Sequence, residues 1–298
     1  MTEAFDLTGA FPFDRDANDN APAVLAAPGP FLYIGEGLRA AAFARYTASY
    51  SFGRISPSYL VLHHTAIPST LAARYPSGAV WDAGEEGMSE ARIYQKRVKQ
   101  LDALAAYYEN TLGWDRGPHL FIDDRYIWLF TPMSAVGIHA KEGNSFTQDG
   151  KLHYSIGIEV IGYYEKVTWP VPVAANVRTA VQALCGRLGI RPTYSPAPVH
   201  SPAAHDLSLS SHRDYNKPQC PGAAITEAYY LAVLSAPAAR RYRAIACASV
   251  FTDRRPDAPL ALTVSAGQVE VMDDLTAGYL HLESGAGFTP LSCWERCE

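Results

Sequence analysis

The sequence predicts an α/β domain followed by a small all-β barrel, and three observations carry that expectation. Between about residue 50 and residue 236, short apolar runs alternate with long stretches whose apolar residues recur at three and four spacing, the pattern of strands interleaved with helices. The last 60 or so residues lose the helical period and become short alternating segments broken by Gly, Pro and Asp. A chain of 298 residues with 48% hydrophobic and 18% charged residues is long enough to bury a core in one large or two modest domains.

Taken in order, residues 1–50 are rich in Ala, Pro and Asp with one helical patch, "GEGLRAAAFARYTAS", and are expected to be an extension packed on the main domain. "SYLVLHHTA" is a buried strand ending at a polar step, so its histidines sit at a strand end. "MSEARIYQKRVKQLDALAAYYENTLGW" opens at Ser89, an N-cap residue type, and keeps its amphipathic period up to Gly113. "HLFIDD" and "YIWLFTP" are short strands around an acidic turn, and "SIGIEVIGYY" is a strand that is apolar except at Glu159. "VPVAANVRTAVQALCGRLGI" is a helix stopped by Gly189, and "AAITEAYYLAVLSA" is another. A domain boundary is expected near "SAPAARRYR", with the α/β domain at 51–236 and the barrel at 243–298.

Composition narrows the function. The formal net charge of -5 and the lack of any basic run beyond adjacent pairs exclude the electrostatic footprint of a nucleic-acid binder. No stretch approaches the roughly 18 uninterrupted apolar residues of a membrane span. The first residues carry acids where a secretory leader needs a basic region, so export by that route is not expected. Five scattered cysteines, Cys185, Cys220, Cys247, Cys293 and Cys297, do not suit a disulfide framework and point to a thiol or a ligand.

Chemistry gathers at four places: "LHHT" (62–65), "GIHAKEGN" (137–144), Glu159, and "SSHRDYNKPQCPG" (210–222). A carboxylate in a buried strand is costly unless paired or used, so Glu159 asks for a partner. Singly, each histidine is an ordinary surface or core residue and Cys220 a small hydrophobe. Jointly, His63 or His64 with His212 and Cys220 offers two imidazoles and a thiolate, a donor set that suits Zn2+ and leaves a fourth position open. Adjacent strand residues face opposite sides, so one of His63 and His64 turns to the metal and the other lies behind it. Pro218 and Pro221 restrict the loop that carries the last ligand.

In that order and spacing, "VLHHTA", "GIHAKEGN", "SIGIEVIG" and "SHRDYNKPQCPG" resemble the zinc-dependent type 2 N-acetylmuramoyl-L-alanine amidases, the superfamily that includes peptidoglycan recognition proteins and phage amidase-type lysozymes. The resemblance covers about residues 58–235 and implies a central mixed sheet flanked by helices. It implies His63, His212 and Cys220 as the zinc ligands and Glu159 as the base. It places His139, Asn144 and His64 beside the substrate. Two departures stand out: Pro118, followed by His119, stands where the family has the tyrosine of a Gly-Tyr pair, and Lys217 lies one position before the family's lysine, where this chain has Pro218. Lys217 and His119 are thus the candidates to stabilise the oxyanion.

The implied reaction is hydrolysis of the amide between N-acetylmuramic acid and L-alanine of the peptidoglycan stem. The tail resembles bacterial SH3-like modules, which implies wall binding through aromatics such as Tyr279 and Trp294. With no secretory leader expected, such a chain is a phage-type endolysin, made in the cytoplasm and acting on the wall after release, and it is expected to be a monomer. The alternatives are a recognition protein that binds without cutting and a cytoplasmic muropeptide-recycling amidase.

Overall fold

In the first part of the chain six strands form one continuous hydrogen-bonded path, and a seventh pairs with one of them outside it. The computed structural model describes residues 30–66, 85, 87–195, 207–235, 240–244, 248–251, 260–264, 269–276, 279–282, 288–290 and 294–297. Two units separate on contacts, one up to Leu234 and one from Ser235.

In the first unit the parallel core is β3 (Leu120–Ile122), β6 (Lys151–Val160), β2 (Tyr59–His64) and β7 (Leu209–Ser211). Around it, β4 (Ile127–Leu129) pairs antiparallel with β3, β1 (Glu36–Leu38) with β4, and β5 (Ser145–Gln148) with β6. The sheet is therefore mixed, as the resemblance implied. β5 and β6 form a hairpin whose turn, Asp149–Gly150, has positive φ at both residues (51° and 73°), the geometry that Asp-Gly favours.

Every residue of β2 is buried, and the two faces of the strand have different neighbours. Leu60 and Leu62 join a core with Phe43 of α1 (Ala40–Ser49), Val177 and Leu184 of α3 (Val171–Leu188) and Tyr230 of α4 (Glu227–Ser235). Tyr59 and Val61, on the other face, pack with Ala140 and Tyr215. α3 is held by Val173, Val177, Ala180, Val181 and Leu184 at helical spacing and stops at Gly189, whose φ of 69° is the left-handed conformation of a helix C-cap. Each such fully buried Val or Leu side chain stabilises the fold by about 1.5–3 kcal/mol.

α2 (Glu90–Asn110) covers the opposite face, where Leu101, Leu104 and Tyr108 meet Phe121, Trp128 and Phe130. Ser89 occupies the N-cap position with extended φ and ψ, but its side chain makes no capping hydrogen bond. The turn of α2 at Arg97 is tied down by charge. Its guanidinium, fully buried, donates to both carboxylate oxygens of Glu85 (2.9 and 2.8 Å) and pairs with Asp123 (2.8 Å) and Asp124 (2.6 Å) in the β3–β4 turn. Asp123 Oδ1 also accepts from the backbone N–H of Arg125 and Tyr126 (2.7 Å each), which shapes that turn.

Residues 30–50, read from sequence as part of a packed extension, supply the edge strand β1 and a helix, α1, lying on α3. Residues 1–29 are outside the described residues.

The second unit is all-β and antiparallel. Its strands β8 (Arg240–Ala244), β9 (Ala248–Phe251), β10 (Leu260–Val264), β11 (Val269–Thr276), β12 (Tyr279–Leu282), β13 (Phe288–Pro290) and β14 (Trp294–Cys297) pair in the order β10-β9-β13-β12-β11-β8-β14. Tyr279 and Trp294 fall on β12 and β14, with side chains outside the described residues, and Cys247 and Cys293 lie outside the described residues altogether. Among the described residues no helix is long and apolar enough to cross a membrane.

Candidate metal centre

Strand register builds the site. β2 and β6 run parallel with His63 opposite Glu159, so both side chains leave the same face near the carboxyl ends of the parallel strands. Ligand sites of open α/β sheets lie at those ends. β7 runs parallel to the other side of β2 and delivers His212 as the first residue of a 3-10 turn, His212–Tyr215.

That turn explains the letters around His212. Ser211 caps it: the Asp214 carboxylate accepts from the Ser211 backbone N–H (2.8 Å), and the Ser211 hydroxyl takes part in the reciprocal capping box. The Tyr194 hydroxyl donates to Asp214 (2.7 Å). Arg213 reaches forward and donates to the carbonyls of Gly222 (2.8 Å) and Ile225 (3.0 Å), fixing the loop that carries Cys220. Gly222 has a φ of 105°, and a Cβ there would lie 2.5 Å from the Tyr164 backbone, so only glycine fits. The Cys220 N–H donates to the Lys217 carbonyl (2.9 Å), which sets Lys217 at the start of the turn that ends in the thiol.

The donor atoms of His63, His212 and Cys220 all lie within 4.8 Å of one another. The two Nδ1 atoms of His63 and His212 approach to 2.9 Å, and the His64 backbone N–H donates to Cys220 Sγ (3.3 Å). Donors bound tetrahedrally at about 2.0–2.3 Å from one ion stand about 3.3–3.6 Å apart, so small adjustments suffice. Burial, with the neighbouring imidazoles His212 and His139, pushes the His63 value well below the ordinary range. Burial, with Lys141 and His64, lowers His212 to about 3. Both are therefore neutral near pH 7, the form that binds a metal. Burial and the Glu159 charge push the Cys220 thiol up, and a divalent cation reverses that by stabilising the thiolate. Two neutral imidazoles and a thiol converging at one point fit zinc.

Glu159 is 4% exposed, with Oε1 3.7 Å from His63 Nδ1. Among the described residues its buried Oε2 has no hydrogen-bond partner. Burial raises its carboxyl to about 8. An orphaned buried carboxylate oxygen beside a three-donor cluster is suited to a cation or a water attached to one.

The structure separates the two adjacent histidines. His63 faces the cluster; His64 turns to the other side, where its ring stacks on Tyr163 (centroids 5.9 Å, 20°) and its Nδ1 accepts weakly from the Tyr164 N–H (3.5 Å). Burial, with Arg213, lowers it to about 4. Its backbone, rather than its imidazole, touches the site through Cys220.

Three residues expected at the substrate or oxyanion are engaged elsewhere in this structure. His119 is fully buried, its Nδ1 accepting from the Gly157 N–H (2.9 Å) and its Nε2 lying 2.9 Å from the Ala135 carbonyl. Both ring nitrogens are thus used by backbone, which leaves none for an oxyanion. Asn144 Oδ1 accepts from the backbone N–H of His139 (2.9 Å) and Ala140 (2.6 Å), stapling the loop that carries His139. His139 lies behind His63, its Nδ1 3.0 Å from His63 Nε2. Sequence reasoning missed Arg213, Ser155 and Tyr194; only the polarity of "SHRD" hinted at the first.

A site with three convergent donors beside a buried carboxylate is one that can hold a divalent ion. Residues 53–223, more than half of the chain, match the family model described as N-acetylmuramoyl-L-alanine amidase, and the chain belongs to that family. No curated protein matches it. Among solved structures it is similar to the endolysin N-acetylmuramoyl-L-alanine amidase LysCS from Clostridium intestinale URNW, at 19% identity over 56% of this chain and 76% of that one, with a TM-score of 0.32. It is also similar to Drosophila PGRP-LB, at 17% identity over 64% and 86% with a TM-score of 0.40. A selenomethionine derivative of AmpD matches at 19% identity over 60% and 86%, with a TM-score of 0.35.

Proposed function

We propose that this chain is a zinc-dependent peptidoglycan amidase of the endolysin type, hydrolysing the amide that joins the lactyl group of N-acetylmuramic acid to L-alanine of the stem peptide. The observation that carries the reading is the unpartnered Glu159 Oε2 beside the His63, His212 and Cys220 donors. Those three residues would hold the ion, which supplies Lewis acidity toward a water and the scissile carbonyl.

Glu159 then has two tasks. As a carboxylate it accepts the proton of the attacking water at Oε2, and as an acid it returns a proton to the departing L-alanine nitrogen. Its environment suits the exchange, because burial brings its carboxyl close to neutral pH. Lys217, partly buried and starting the turn that ends in Cys220, is the residue we assign to stabilise the developing oxyanion; burial lowers its value and the Cys220 charge raises it. His63 and His212 stay neutral and position the site.

The antiparallel unit from Ser235 supports a further part of the reading: an SH3-like module that holds the enzyme on intact wall, with action there following release from the cell. Digestion of purified sacculi tests the whole. Stem peptides with a free L-alanine amino terminus are expected, with loss of release on chelation and recovery on adding zinc. Retention on sacculi with zinc bound and no peptide released identifies a recognition protein instead. Cleavage of small soluble muropeptides with intact wall untouched identifies a recycling enzyme.

A further inference from the structure

His139 sits on a loop that no donor set requires, yet its environment is constructed in detail. Its ring lies over Gly157 of β6, where a Cβ would come within 2.4 Å of the imidazole Cγ. Asn144 holds its backbone N–H, as described above. Its Nδ1 is 3.0 Å from His63 Nε2, and its Nε2 is 3.2 Å from the hydroxyl of Ser155, a fully buried residue.

The protons along this chain can be placed by elimination. Ser155 Oγ lies 2.6 Å from the Gly143 carbonyl oxygen. A carbonyl only accepts, so the single hydroxyl proton of Ser155 is committed there. The contact between Ser155 Oγ and His139 Nε2 therefore has the imidazole as donor. With its proton on Nε2, a neutral His139 accepts at Nδ1, and the donor facing it is His63 Nε2–H. His63 is thereby left with a bare Nδ1, and Nδ1 is the atom that faces His212 and Glu159.

We propose that His139 is a positioning residue: the chain from the Gly143 carbonyl through Ser155 and His139 fixes the Nε2–H tautomer of His63 and presents its Nδ1 lone pair to the metal. The inference rests on the metal-centre reading of His63. Metal-bound histidines ordinarily direct their second nitrogen to a carboxylate, a carbonyl or water. Here another imidazole takes that place, and a serine and a main-chain oxygen orient it in turn. The role differs from a groove contact with the peptide: His139 acts through His63.

Two measurements on the full chain test this. In the metal-free protein labelled with 15N-histidine, long-range 1H–15N spectra near neutral pH are expected to show His63 protonated at Nε2 and bare at Nδ1. A proton on Nδ1 overturns the proposal. In the second, zinc affinity is read by competition with a chromophoric chelator. His139→Leu is expected to weaken binding about 10–100-fold. His139→Asn is expected to recover most of it, because the amide oxygen occupies the place of Nδ1 and accepts from His63. Equal affinity of His139→Leu and wild type, or an Asn variant as weak as the Leu variant, contradicts it. Wild-type protein that takes up no zinc rejects the metal centre itself, while the tautomer of His63 still decides the relay.

Discussion

In the proposed hydrolysis Glu159 is the residue on which the chemistry turns. It stands between Ile158 and Val160 in a strand buried along its last eight positions, and one of its oxygens has no hydrogen-bond partner among the described residues. Glu159→Gln keeps the shape and removes the base. It is expected to reduce peptide release from sacculi by about 10²–10⁴-fold with zinc content unchanged; full turnover in that variant rejects the role. His119 tests a different property of single residues. Burial lowers it to about 4, while an unfolded histidine titrates near 6.5. Between those values the unfolded chain takes up the proton first, so stability is retained above about pH 6.5 and lost as pH falls toward about 4, by about 3 kcal/mol for this residue at most. Urea unfolding of the metal-free chain is expected to show a shallower decline over that window for His119→Gln than for wild type. An unchanged slope contradicts the buried, neutral imidazole.

Elements decide where such residues arrive. The register of β2 against β6 places His63 opposite Glu159, and β7 brings His212 to the other edge of β2. α2 is attached to the β3–β4 turn by Arg97, whose partners Glu85, Asp123 and Asp124 come from two segments. Arg97→Met removes the cation these carboxylates share, leaving Glu85 with Lys96 (3.3 Å) and Asp124 with Arg125 (3.8 Å), and is expected to cost about 3–5 kcal/mol in urea unfolding; a change below 1 kcal/mol shows that the network contributes little. α2, α3, α4 and the strands β2, β3, β4 and β6 were legible in the sequence because each has either a sustained period or a dense apolar run. β1 and β7 were not, since "EGL" and "LSS" are three-residue strands defined only by their partners. β5 escaped as a polar edge strand, although its Asp149–Gly150 turn was a usable signal. The donor set was legible from motif order. The positions of His119 and Asn144 were not, because their partners are backbone atoms, and for His119 these come from two distant segments, at Ala135 and Gly157.

At the scale of the molecule, the chain couples an α/β unit that carries the donor cluster with an antiparallel unit of a different architecture. If the second unit binds wall, ending the chain at Ser235 is expected to leave hydrolysis of a soluble muramyl peptide within about twofold, while hydrolysis of intact sacculi at limiting enzyme falls by about two orders of magnitude, the scale of a lost second attachment. Equal loss on both substrates contradicts a role confined to attachment. All of this depends on one ion held by three side chains from β2, the turn after β7 and the Cys220 loop. The most direct measurement is zinc-edge X-ray absorption on the loaded full-length protein. One sulfur at about 2.3 Å with two imidazole nitrogens at about 2.0–2.1 Å, and loss of the sulfur shell in Cys220→Ser, is the expected result; zinc bound without sulfur, or no zinc bound at all, contradicts the account.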